Sequence, residues 1–519
     1  MQTIIEKKNT SKSVIKKAAK RSLALHKSLN VLCAAALFLG YLCFFSGRWY
    51  VSSFGRLGFD SILFTLSADL SGVQGGQITG FLLQAFIPSV LLTALTVWLL
   101  VRQPHLSRSG KFEARTPSRI LAYCCAALLS LGLILYAAFD VELVDYIGNQ
   151  NTDSTLYKVA YVDPDDTEIT FPEEKRNLIY IMLESMETTY LSEELGGAME
   201  ENLIPELYDL AQENLWFSDS TGAGDYGYYT TSGATWTIGS MVAQTAGIPL
   251  KTPTADVNQY GAKGEAFLPG ATTLTNILHD AGYYQALMVG SDASFGGREP
   301  YFLQHGLDKV YDLYTARADG IIPSDYFVWW GMEDLHLFEY AKQELTKIAA
   351  QEQPFAFTML TVDTHHVGGY QCALCQESAS GESYDQSISC SSRQVAAFVE
   401  WIQAQDFYEN TTIIIVGDHE SMDNSYMSRM VDEDYQRRLY NCFINAAVDP
   451  TNTSNRIFCA EDLFPTTLAA IGCTIEGDRL GLGVNLFSNQ KTLSERWGFE
   501  HFNNELAKAS TFYEENFWE

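Results

Sequence analysis

Residues 417–419 read GDH and follow a run of β-branched residues, TTIIIV. Asp418 and His419 offer a carboxylate and an imidazole side by side, donor types that suit Mn(II), Zn(II) or Mg(II). Within a continuing strand the two side chains would point to opposite faces and could share no target. They converge only if Gly417 ends the strand and turns the chain. A second acid holds an equivalent place, because Glu184 follows the apolar run NLIYIML. In open α/β sheets, ligands bind at the carboxyl ends of the strands. A solvated loop, or an acid at a helix start, explains any one of these residues alone. Their matched placement makes Glu184, Asp418 and His419 a candidate metal site.

Metal-assisted chemistry of this kind needs a nucleophile. Residues 220–251 read STGAGDYGYYTTSGATWTIGSMVAQTAGIPLK, a Gly- and Thr-rich loop leading into a helix-compatible stretch near Thr237. A hydroxyl at a helix start faces the positive end of the helix dipole, where a phosphate also binds. A metal ion nearby lowers its pKa and activates it. An ordinary N-cap threonine is the competing explanation.

The elements that must position these groups are legible as alternation. Residues 177–183, 283–290, 354–362, 411–417 and 441–448 are short apolar runs that read as strands. Residues 341–352 and 393–405 carry helical periodicity, the latter placing Val395, Phe398, Val399 and Ile402 on one face. Strands alternating with helices predict an α/β fold with a mostly parallel sheet flanked by helices.

Three apolar stretches precede this domain, at 30–46, 78–101 and 120–141, each near the length that spans a bilayer. A cleaved leader peptide is the alternative for the first, but its basic prefix is long and two more spans follow. Residues 1–119 carry 15 Lys and Arg against 4 Asp and Glu, a net of +11, and the remainder carries 19 against 59, a net of −40. So acidic a body excludes general nucleic-acid binding, which needs a basic surface. Basic residues crowd the N-terminus and the 102–119 loop, which the positive-inside rule places in the cytoplasm. The expected organisation is a cytoplasmic N-terminus (1–29), three transmembrane helices (30–141), a polar linker (142–175), an extracytoplasmic domain (176–490) and a C-terminal tail (491–519). Six of the ten cysteines lie in that outer domain. Disulfides are the favoured expectation there, with Cys372, Cys375 and Cys390 as alternative ligands of a structural zinc.

LES after a strand, the Thr-rich turn, DTHH (363–366) and GDHESMD (417–423) together resemble the sulfatase-superfamily phosphotransferases of bacterial envelopes. The branch they are most similar to is that of lipoteichoic acid synthases and phosphoglycerol transferases. WTIGSMVAQTAGIPL, FGGREPYFLQHGLD and GDRLGLGVNLFS resemble the phosphoglycerol transferases more closely than the synthases. The resemblance covers residues 175–490. It implies an alkaline-phosphatase/sulfatase-like sheet and a metal, manganese before magnesium or zinc, held by Glu184, Thr237, Asp418 and His419. It also implies that Thr237 is the nucleophile, with Thr235 as the alternative, and that Arg298 and His365 bind the glycerol phosphate. The donor would be phosphatidylglycerol in a bacterial cell membrane, and the acceptor an envelope glycan or polymer hydroxyl. This chain has Gly296 and Val289 near positions where the synthases carry a Trp and a further His, so headgroup or acceptor contacts should differ. A phosphoethanolamine transferase is the near alternative, and an inactive membrane-anchored binding protein the distant one. A true sulfatase is disfavoured because the turn lacks a Cys/Ser-x-Pro-x-Arg motif.

Overall fold

The structure is a computed structural model that describes residues 2–56, 58–67, 75–106, 115–219, 226–251, 266–351, 353–376 and 380–518. The chain divides into two compact units. The first contains α1 (Gln2–Phe54), α2 (Ile87–Leu106) and α3 (Arg115–Asp140). Within it, the segments Lys27–Phe54, Gln77–Leu99 and Ile120–Asp140 are long and apolar enough to cross a membrane. Helices α1 and α3 approach closely at Gly40, where an added Cβ would lie 2.8 Å from Ser130 Oγ. That hydroxyl donates to the Ala36 carbonyl at 2.6 Å, a small-residue contact of the kind that packs helices in lipid. Arg48 and Arg56, the basic residues of the sparsely charged 47–77 region, both reach the buried Asp140 carboxylate at 3.3 Å.

The second unit is built on a six-stranded sheet: β1 (Asn177–Leu183), β2 (Tyr284–Val289), β3 (Lys309–Tyr311), β4 (Phe355–Leu360), β5 (Thr411–Gly417) and β6 (Asn441–Ile444). Their spatial order is β3-β2-β4-β1-β5-β6, parallel throughout except for β6 against β5. The five runs expected as strands are strands. The three-residue edge strand β3 is too short to leave a pattern. Both faces of the sheet are covered: Leu178, Tyr180 and Met182 of β1 join one core cluster, and Ile179, Ile181 and Leu183 the other. Burial on both faces is why the strands read as continuous apolar runs rather than alternating ones. Flanking helices include α4 (Thr237–Ala246), α5 (Arg298–Gln304), α6 (Asp334–Ala349), α7 (Ser383–Gln403) and α8 (Leu463–Ala470). Helix α6 starts earlier than the periodicity of 341–352 suggests, because Leu337 and Phe338 extend its buried stripe.

Two segments depart from expectation. Residues 142–175 are not simply a linker, and residues 491–519 are not a tail. Tyr157 is buried and packs edge-on against Tyr513 and Phe517, with ring centroids 5.5 and 6.3 Å away, and stacks on Phe512 at 6.1 Å. Leu493, Phe502 and Leu506 are buried in the same cluster. The aromatic content that made the C-terminal piece hard to classify is core-forming. The expected disulfides are also absent among the described residues, where every cysteine is a free thiol. Cys442 lies in one core cluster and Cys459 and Cys473 in the other. The sulfurs of Cys372, Cys375 and Cys390 gather, yet stand 3.7 and 3.8 Å apart, far beyond a bonding distance of about 2.05 Å.

Register brings the strand ends together. Val289, Leu360, Met182 and Val416 are partners along one rung across β2, β4, β1 and β5. Gly417 is the last residue of β5 and pairs with Leu183, so the strand runs through it and the turn begins at Asp418. Glycine is required there by close approach: an added Cβ would lie 2.0 Å from the Met186 carbonyl oxygen. We predict that Gly417→Ala forces β5 and the loop after β1 apart at a cost on the order of 1–3 kcal/mol or more, visible as a lowered thermal midpoint. An unchanged midpoint would mean that this loop yields freely.

Candidate active site

Each central strand of the rung ends in a loop bearing one candidate group: Arg298 after β2, His365 after β4, Glu184 after β1, and Asp418–His419 after β5. Glu184, Asp418 and His419 are buried, and each offers a ligand atom within 4.8 Å of the others. His419 Nε2 lies 3.4 Å from Asp418 Oδ2 and 3.6 Å from Glu184 Oε1. Its Nδ1 sits 2.8 Å from the Glu420 carbonyl. A carbonyl can only accept, so Nδ1 carries a proton, and in the neutral ring Nε2 presents the lone pair.

Asp418 Oδ1 accepts from the backbone N–H groups of Ser185 and His419, at 2.8 and 2.7 Å. Its Oδ2 is buried with no hydrogen-bond partner. An unsatisfied carboxylate oxygen facing a second buried carboxylate and an imidazole lone pair fits a divalent cation. Burial and the neighbouring Glu184 push Asp418 up to about 7, and burial raises Glu184. Burial works against charge on His419, but Asp418 and Glu184 outweigh it and raise its pKa. Without a cation, this cluster carries unbalanced negative charge.

The surroundings hold the ligands in place. Ser185 adopts a left-handed backbone (φ 52°), which costs a non-glycine residue about 1–2 kcal/mol. Its side chain donates to Glu184 Oε1 at 2.8 Å while its N–H binds Asp418, so one strained residue ties both carboxylates together. Beneath Asp418, Ser240 Oγ donates to its carbonyl, Gln244 Nε2 donates to Ser240 Oγ at 2.8 Å, and Tyr180 Oη donates to Gln244 Oε1 at 2.8 Å. Glu187 forms a buried, two-pronged pair with Arg437, and its Oε1 also accepts from the Ser421 N–H at 2.8 Å. Sequence reading missed these supports. Two signals existed: Ser240 and Gln244 lie at i+3 and i+7 from Thr237, on one helix face, and Glu187 is a second acid three residues after Glu184 in the same LESME segment.

Thr237 is the first residue of α4, and its Oγ1 lies 3.4 Å from His419 Nε2. Thr235 Oγ1 is buried without a hydrogen-bond partner. Arg298 is buried, with Nε donating to the Phe295 carbonyl (3.0 Å) and Nη2 to Ser291 Oγ (3.0 Å) and the Asp292 carbonyl (2.6 Å). Burial lowers it to about 10, opposed by Asp292, Glu184, Asp312 and Asp418, so it stays cationic at neutral pH. His365 donates from Nδ1 to the His366 carbonyl (2.7 Å) and packs 4.5 Å from the Trp330 ring. Burial pushes it down to about 4, with His419 and Arg298 adding to the shift. It is therefore a neutral imidazole with Nε2 as an acceptor. The structure thus places Glu184, Thr237, Arg298, His365, Asp418 and His419 at one end of the sheet.

The Sulfatase family profile matches residues 176–472. The chain is 30% identical over 436 residues to phosphoglycerol transferase I of Xanthomonas campestris pv. campestris, covering 82% of this chain and 57% of that protein. It is 28% identical over 376 residues to phosphoglycerol transferase I of Salmonella arizonae, covering 70% and 45%. The chain thus spans about half the length of these relatives. Among solved structures, an alkaline phosphatase superfamily protein from Vibrio parahaemolyticus is similar over 64% of this chain and 77% of its own, at 19% identity and a TM-score of 0.49. With a family match over more than half its length, this chain belongs to the sulfatase family.

Proposed function

We propose that the protein is a membrane-anchored phosphoglycerol transferase. It moves glycerol phosphate from phosphatidylglycerol, through a covalent adduct on Thr237, to a hydroxyl of an envelope glycan or polymer. The observation that carries this reading is the Thr237 hydroxyl at a helix N-terminus, 3.4 Å from His419 Nε2 and beside a buried carboxylate pair. Similarity to phosphoglycerol transferases I supports the headgroup. The proposed setting is a bacterial cell membrane crossed three times, with residues after 141 extracytoplasmic by the positive-inside rule. Tethering suits a lipid donor, because it confines the enzyme to the leaflet that supplies it.

Glu184, Thr237, Asp418 and His419 would hold the cation, with Mn(II) the first choice and Mg(II) or Zn(II) the alternatives. When bound, such an ion supplies Lewis-acid stabilisation of phosphoryl charge and lowers the pKa of a nearby hydroxyl. The residues do the rest. Thr237 Oγ gives up its proton as it attacks phosphorus, the bond to the diacylglycerol oxygen breaks, and that oxygen takes up one proton in leaving, so the step is proton-neutral overall. The helix dipole and Arg298 offset the charge that develops on phosphorus. Fixed by three hydrogen bonds, the Arg298 guanidinium loses little freedom in doing so. His365 then acts on the acceptor. At a pKa of about 4 it is unprotonated at neutral pH, which leaves Nε2 free to accept the hydrogen bond and then the proton of the incoming hydroxyl. That hydroxyl attacks the adduct, the Thr237–phosphorus bond breaks, and the departing threonine oxygen takes up a proton in place of the one passed to His365, which regenerates the threonine.

Intact-protein mass spectrometry after incubation with Mn(II) and phosphatidylglycerol tests the first step. A glycerol-phosphate increment is expected in the wild type, absent in Thr237→Ala and after chelation, and retained in Thr235→Ala. An increment with phosphatidylethanolamine instead would replace the headgroup, and retention in Thr237→Ala would move the nucleophile. His365→Gln should accumulate the adduct while slowing transfer about 10²–10⁴-fold; equal loss of both steps would refute an acceptor-side role. At saturating Mn(II), wild-type transfer should hold level as pH falls through 6.5, because the folded imidazole stays neutral until about pH 4. A half-maximal point near 6.5 would contradict this.

A further inference from the structure

The loop that follows His365 carries a second cluster of ligating atoms. Cys372 and Cys375 form a C-x-x-C turn closed by the Cys375 N–H donating to the Cys372 carbonyl at 3.1 Å. Cys390 projects into the turn from helix α7. The three sulfurs all lie within 4.8 Å of one another, with Cys372 3.7 Å from Cys390 and 3.8 Å from Cys375. We propose that Cys372, Cys375 and Cys390 form a metal site separate from the active centre, for a thiophilic divalent cation, Zn(II) by its chemistry, that fastens the His365 loop to α7.

The spacing carries the assignment. Sulfurs bound at about 2.3 Å to one tetrahedral ion stand about 3.8 Å apart, and Cys372 stands 3.7 and 3.8 Å from its two neighbours. A disulfide would need two of them at about 2.05 Å and leave the third idle. The surroundings suit thiolates rather than thiols. The Leu374 N–H donates to Cys372 Sγ at 3.4 Å, and Gln394 Nε2 lies 3.5 Å from Cys390 Sγ and 3.8 Å from Cys372 Sγ. Arg393, next to Gln394 on α7, has a buried Nη2 with no hydrogen-bond partner and exerts a positive charge on Cys390. Three thiolates on a divalent ion leave a net charge of −1, which these donors and this guanidinium offset. Loading releases the three thiol protons, and the fourth position is left for water or a small exogenous donor.

The consequence for the active site is positional. Between His365 and Cys372, the Tyr370 N–H donates to the Asp363 carbonyl at 2.7 Å and Gln371 Nε2 donates to Ser387 Oγ on α7 at 2.9 Å. Tyr384 Oη, also on α7, donates to the Thr364 carbonyl at 2.8 Å. A metal clip completes this seam and holds the His365 loop in register with α7.

The test is a Co(II) titration of the reduced full-length chain in detergent. Thiolate-to-cobalt charge transfer absorbs in the near ultraviolet, and the oxygen and nitrogen donors of the active centre cannot produce it. One equivalent of that band is expected in the wild type, displaced by Zn(II), retained in Glu184→Gln/Asp418→Asn and lost in Cys390→Ser. A zinc-loaded sample should show a sulfur shell at about 2.3 Å by X-ray absorption. Because Cys390→Ser could misfold, the wild-type band and sulfur shell decide the matter alone. A wild-type protein without the band overturns the proposal, as does a band that vanishes with the active-site variant. So does protein isolated without reductant that is two hydrogens lighter, with peptides joined through two of these cysteines.

Discussion

Two carboxylates are buried side by side with too little positive charge to balance them, and the architecture of the larger unit serves that placement. Removing a carboxylate from water costs several kcal/mol, so Glu184 and Asp418 stay together only because the backbone gives them no alternative. They end neighbouring parallel strands in register, with Leu183 opposite Gly417. Their loops are locked by Ser185, which binds both acids, and by Glu187, which binds Ser421 and Arg437. The sheet thus holds buried carboxylates whose charge a divalent cation would balance, and Arg298 and His365 follow the strands β2 and β4 at the same end of the sheet.

The chemistry that this allows depends on which neighbours are charged. Arg298 remains cationic although buried, because four carboxylates oppose the loss of its proton. His365, although within reach of the Asp418 carboxylate, is nonetheless kept neutral by burial, with His419 and Arg298 adding to the shift. One group is therefore suited to meeting an anion and the other to receiving a proton. The division follows from their surroundings rather than from residue type alone.

Much of this was legible in the sequence, for a physical reason. Strands buried on both faces must be continuous apolar runs, so β1, β2, β4 and β5 announced themselves, and acids placed just beyond such runs stood out. What the sequence hid was of two kinds. Short elements such as β3 are too brief to carry a period. Segments that mix Phe and Trp with Glu and Asn, such as 491–519, look polar by composition while burying rings such as Phe502, Tyr513 and Phe517. The role of Gly417 was read as a turn, whereas the structure shows a strand residue made glycine by the Met186 carbonyl pressed against it. The cysteines were read first as disulfides from their number and compartment; their mutual distances required coordinates.

The burial of Tyr157 against Tyr513 and Phe517 has a consequence for how the protein is made. Ser154 Oγ donates to Glu505, and the Thr511 N–H donates to Asp153, across sequence separations of 351 and 358 residues. Residues 153 and 154 thus have partners that are made 358 and 351 residues later in the chain. A growing chain can form its strands and helices in turn, but the early segment waits, its aromatic ring exposed, until residues 505–517 have been made and can cover it.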